Sequence, residues 1–205
     1  MHNGGMDRFE GHIAGIGTAS GTRLVIGRWD TSPFGAFTDV MMEDAAGRRI
    51  LLAPTRDVAD YVGATYVFDE VVLSPITSTL TRDRLIVDAG DLQVFAEIGA
   101  VTLLGRLLGL VPSRLATHPR WLALINPVAS VLVKGVATAG SAGQGRTEYY
   151  GVTSARAIPG VTATWRGSDP GTLGPVSPPV RFGFSSAPAR PQLVSVTTTI
   201  RHPEP

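Results

Sequence analysis

Apolar and polar positions alternate in short runs along most of this chain, with the period of strands. The clearest case is Leu92 to Ile98, where Leu92, Val94, Ala96 and Ile98 fall on one face and Gln93 and Glu97 on the other, with Phe95 the exception. Similar runs are Phe9 to Ile16, Thr22 to Trp29, Ala36 to Glu43, Arg49 to Leu52, Tyr66 to Leu73 and Arg84 to Asp88. Others follow at Val131 to Thr138, Arg146 to Thr153, Val161 to Arg166, Val180 to Phe184 and Leu193 to Arg201. Gly17 to Gly21, Asp44 to Gly47 and Ala89-Gly90 read as hairpin links between them. With 24 Gly and 15 Pro the chain is cut too often for long helices.

Helical spacing occurs only in the middle. Thr55 is placed to cap a helix that runs to about Ala64, with Asp57 and Asp60 near its positive end. Leu104, Leu107, Leu108 and Val111 form a stripe over Ala100 to Leu110, and Pro119 to Ile125 reads as a third short helix. Pro170 to Pro179 reads as an ordered surface loop. This pattern predicts a mainly β fold: one domain over residues 1–205, a large antiparallel, closed or nearly closed β-barrel with two or three short helices covering an end. A barrel beyond about eight strands leaves interior room for a ligand.

Composition narrows the function classes. Apolar residues make up 43% of the 205, enough for a sizeable core. Charged residues at 17% and a net charge of +1 argue against a nucleic-acid partner, which calls for a concentrated basic face. Cysteine is absent, which removes disulfides and thiolate metal sites. The four His are scattered, with no pair at ligand spacing, so no metal is expected. No apolar stretch approaches the roughly 20 residues of a membrane span, and residues 1–10 lack the apolar core of a signal peptide, so the expected compartment is the cytoplasm. The segment from Leu104 to Lys134 carries too few basic residues for a polybasic membrane anchor.

Catalytic and cofactor motifs are scarce. Gly15-Ile16-Gly17-Thr18-Ala19-Ser20-Gly21 has its third Gly one place late for a dinucleotide fingerprint, and a strand follows where a helix is needed. No cofactor is expected. There is no Gly-x-Ser-x-Gly, and His118 stands before Pro119 at a helix break, a place suited to a cap.

The most informative stretch is Arg28 to Met41. After the Pro33-Phe34-Gly35 turn, Phe37, Asp39, Met41 and Glu43 share one strand face and Ala36, Thr38, Val40 and Met42 the other. Alternation alone favours the second face as the core, leaving Asp39 in solvent. If the first face points inward, Asp39 is a buried acid with a perturbed pKa and a site candidate.

The residues Ser32-Pro33-x-Gly35-x-Phe37-x-Asp39 resemble the Ser-Pro-x-Gly-x-Tyr-x-Glu stretch of the acetoacetate decarboxylase-like superfamily. The resemblance covers this short stretch alone. It implies a large β-barrel around a cavity, with Asp39 as the cavity's acid and Phe37 in place of the Tyr. Enzymes of that superfamily carry a Schiff-base lysine farther along, where this sequence reads Ile76-Thr77-Ser78-Thr79-Leu80. Lys134, the only lysine, stands far from there and is expected at the surface with its stem along apolar neighbours.

Three functions follow as expectations. The first is binding of a small apolar or carboxylated metabolite, without Schiff-base chemistry, at Arg28, Phe37, Asp39, Glu70 and Tyr150. The second is a decarboxylase- or lyase-like acid–base enzyme that uses Asp39 with Arg28 or Glu70. The third is a structural or protein-interaction domain with a filled barrel.

Overall fold

The computed structural model describes residues 5–111, 139–141, 145–183 and 187–202. The expected helix at Pro119 to Ile125, the strand at Val131 to Thr138, and His118, Lys134 and Phe184 lie outside them. Strand makes up 52% of the described residues and helix 10%, so the fold is mostly β.

The large sheet runs, neighbour by neighbour, through β5 (Glu70–Leu73), β4 (Arg49–Ala53), β3 (Phe37–Glu43), β2 (Arg23–Thr31), β1 (Met6–Thr18), β13 (Gln192–Arg201), β10 (Thr147–Ala157) and β9 (Ala139–Ser141). The two-residue β12 (Leu173–Gly174) pairs with the end of β1. A second sheet has the order β11 (Val161–Trp165), β8 (Leu92–Glu97), β7 (Arg84–Ala89) and β6 (Thr77–Leu80). Among the described residues no ladder joins β5 to β9, so these pairings do not close a ring. One pair departs from the antiparallel expectation: β4 and β5 are parallel. The helix α1 (Arg56–Thr65) lies between them in sequence, and a parallel pair needs such a crossover.

The large sheet curls. Bulges interrupt the ladders at Glu10/Gly11 and Val152/Ser154, and bulges bend strands. Val58 and Ala59 of α1 pack with Leu51 and Ala53 of β4. Tyr61 of α1 stands 5.5 Å, ring to ring, from Phe9 on β1, and Tyr66, the helix's C-cap, reaches Glu148 on β10. One short helix thus touches strands five places apart in the sheet order, because the sheet wraps round it. α1 therefore lies on the inner face rather than across an end.

Both faces of the large sheet are buried through most of β2, β3 and β4. Leu24, Ile26, Val40 and Met42 on the outer face pack against Leu85, Val87, Val94 and Ala96 of the second sheet. Val25, Met41 and Leu51 on the inner face pack against α1, Val176 and Phe182. The choice between a solvent face and a core face on β3 is thus resolved as two cores.

Other local expectations shift. Val180 to Gly183 is irregular: Phe182 is fully buried, and its carbonyl accepts from Val67 N at 2.7 Å, fixing the chain after α1. Tyr66 to Phe68 closes the helix, leaving Glu70–Leu73 as strand. The loop from Pro170 to Pro179 sends Val176 into the inner core. The helix α2 (Leu103–Leu108) leaves Leu107 of its predicted stripe 55% exposed. Its tight contact is Gly105, where a Cβ would lie 2.3 Å from the Ala155 carbonyl on β10.

Candidate functional site on the inner face

The β2–β3 register sets Gly27 opposite Asp39 and Trp29 opposite Phe37, and opposite residues share a face. Asp39 is 5% exposed, and Trp29 donates its indole N–H to Asp39 Oδ1 at 3.0 Å. Gly27 leaves room for that bond: a Cβ there would lie 2.6 Å from Asp39 Oδ1 and 2.7 Å from Trp29 Nε1. Burial pushes the Asp39 carboxyl up to about 7, against the pull of the indole.

Aromatic rings adjoin this pair. The Phe9 ring centre is 5.5 Å from Trp29, 6.4 Å from Phe37 and 5.5 Å from Tyr61. Phe34, partly exposed, stands 5.1 Å from Tyr61 at the rim.

A second acid lies on the same face. Glu148 on β10 is buried, with Tyr66 Oη 2.8 Å from both of its carboxyl oxygens. Tyr66 and Tyr150 join hydroxyl to hydroxyl at 2.9 Å. Burial raises Glu148 to about 7, opposed by its bonds to Tyr66 and Tyr150. Both phenols are pushed well up by burial and the Glu148 charge, and the Asp39 charge adds to the rise at Tyr150. Tyr150 lies opposite Thr198, which lies opposite Phe9. Thr198 is 3% exposed, and its hydroxyl has no hydrogen-bond partner among the described residues.

Glu43, two residues beyond Met41 on this face, shows how the fold treats a structural acid. It is fully buried, with Arg23 at 2.8 Å and Arg181 at 2.9 Å. Among the described residues, neither Asp39 nor Glu148 has a cationic partner. The nearby Arg146 is engaged elsewhere, 3.0 Å from Thr65 Oγ1 and over the Tyr61 ring.

Of the residues singled out from the sequence, Phe37, Asp39 and Tyr150 come to this face. Arg28 does not: it pairs with Thr38 on the opposite face and makes an ion pair with Asp30. Glu70 sits on β5, held by Arg48 at 2.9 Å and Arg166 at 2.7 Å. The acid–base pairs of Asp39 with Arg28 or with Glu70 are therefore not assembled. Glu148, Tyr66 and Thr198 escaped the sequence reading. Glu148 alternates with Tyr150 on one strand, the signal that could have found it.

A scan against protein-family models and a search of curated proteins both find no match. Among the described residues no group of His, Asp and Glu could hold a metal ion, and no helix is long and apolar enough to cross a membrane.

Proposed function

We propose that this chain binds a small, largely apolar molecule with a polar head, held on the inner face of the curled sheet. The head lies among Asp39, Glu148, Tyr66 and Tyr150, and the apolar part lies against Phe37 and its aromatic neighbours. One observation carries this reading: two buried carboxyls that have no cationic partner among the described residues, and the Thr198 hydroxyl, unpartnered among them too, share one face. Buried polar groups without partners are costly, and a bound molecule supplies the partners. In this reading the sheet acts as a nearly closed barrel, and the resemblance at Ser32 to Asp39 gives its acid the role of a cavity acid. The protein works without a cofactor and without Schiff-base chemistry. Native mass spectrometry of protein purified without denaturant tests this. Wild-type protein is expected to carry an extra small-molecule mass that the Asp39→Asn/Glu148→Gln double variant lacks; equal masses after mild and denaturing purification would oppose the proposal.

A second reading rests on the position of Asp39 and Glu148 near 7, where a carboxyl serves as general acid or base at neutral pH. It makes the chain a decarboxylase- or lyase-like acid–base enzyme with Glu148 in the place first considered for Arg28 or Glu70. Turnover of a β-keto acid, lost in Asp39→Asn and without a borohydride-trapped adduct on Lys134, is its expected signature.

A further inference from the structure

The inner face carries an imbalance of charge that the fold corrects elsewhere. Glu43 is matched by two arginines on the same face. Asp39 has an indole N–H, and Glu148 has two phenols. An ionised carboxylate in such a place is expensive unless a cation accompanies it. Apart from the Trp29 indole N–H, the groups beside Asp39 are aromatic ring faces and edges. Phe9, Trp29, Phe37, Phe34 and Tyr61 form one continuous cluster. Rings of this kind attract organic cations, and tryptophan does so most strongly. The Thr198 hydroxyl, 3% exposed and unpartnered among the described residues, adds a buried acceptor on the same face. A carboxylate ligand would meet two acids here, and Arg146, the cation at the edge of the cluster, is engaged by Thr65 Oγ1 and the Tyr61 ring. An ammonium ligand would meet acids, hydroxyl oxygens and aromatic faces.

We propose that the molecule held on this face is an organic cation, an ammonium group seated between Asp39 and Glu148 with its apolar substituent among Phe9, Trp29 and Phe37. This rests on the binding reading above and names its ligand class. The sequence alone pointed to an apolar or carboxylated metabolite; the paired acids favour the opposite sign.

The test uses the full chain and three probes of similar shape: benzyltrimethylammonium, benzyl alcohol and benzoate. Binding is followed by tryptophan fluorescence, with Trp29→Phe to assign the signal. The cation is expected to bind at least tenfold more tightly than either comparator, and Asp39→Asn and Glu148→Gln are each expected to weaken it about tenfold and to narrow its margin over benzyl alcohol. Asparagine still offers Trp29 an acceptor oxygen, so Asp39→Asn should keep the local fold. If either variant fails to fold, the ranking of the three probes decides alone. Benzyl alcohol or benzoate binding as tightly as the cation would overturn the ligand class and leave the binding site standing. No response to any probe in Trp29, Tyr66 or Tyr150 would overturn both.

Discussion

Trp29 and Asp39 meet over the bare Cα of Gly27, with the indole N–H 3.0 Å from Oδ1, and no other side chain among the described residues gives that oxygen a hydrogen bond. The contact depends on three positions in two strands. Gly27→Ala is expected to separate the pair, because its Cβ would stand 2.6 Å from the carboxyl oxygen. The expected cost is about 1–3 kcal/mol, typical of overpacking. Urea denaturation, with near-ultraviolet circular dichroism reporting on Trp29, measures both effects; an unchanged midpoint and spectrum would refute this.

Asp39 and Glu148 set a pH dependence whose sign is unusual for carboxylates. Their carboxyls sit at about 7 in the fold, above the ordinary values of 3.8 and 4.5. Between those limits the folded chain binds more protons than the unfolded chain, so their contribution to stability is present at low pH and is lost as pH rises toward 7. Asp39→Asn and Glu148→Gln are each expected to flatten the fall in stability between pH 5 and pH 7.5. Denaturant titrations across that range provide the check. A wild type that gains stability over this range, with variants parallel to it, would contradict the assignment.

Tyr66→Phe removes the hydroxyl 2.8 Å from both oxygens of Glu148. The loss of a donor to a buried acid is expected to cost about 1–3 kcal/mol and to raise the Glu148 carboxyl further. Carbon-detected NMR titration of the glutamate carboxyls follows the shift. A titration curve for Glu148 that stays in place would show that Tyr66 contributes little.

Phe182 is fully buried beside Val25, Met41 and Leu51, and it comes from an irregular segment. Phe182→Ala is expected to destabilise the chain by about 3–5 kcal/mol, the usual cost of emptying an aromatic core site. Thermal unfolding would show it, and a shift no larger than that of an exposed substitution such as Phe95→Ala would count against the placement.

The strands of this fold were legible because their alternation is local. β7 and β8 follow theirs residue by residue. The inward position of Asp39 was not legible from alternation, since a strand covered on both sides has no polar face to compare. The face that Arg28 takes is illegible for a related reason. Arg28 is one residue from Gly27, and a shift of one residue in a strand moves a side chain to the opposite face. Glu70 depended on the crossover through α1, whose parallel register sets it beside Ile50, a long-range outcome with no local signal. The alternation from Tyr66 to Leu73 predicts a strand that starts at Tyr66. Its role as the helix's last cap, and hence its reach to β10, depends on where α1 stops.

The double covering of β3 also sets how freely this gene can vary. In β7 and β8 alternate side chains face outward, so a saturation library should tolerate changes at every second position. Residues Thr38 to Glu43 are all buried, and there the tolerated positions should vanish as an unbroken block. Neutral drift would then accumulate around that strand and leave it fixed. The acid on it would be retained together with its apolar neighbours, whatever the ligand selects.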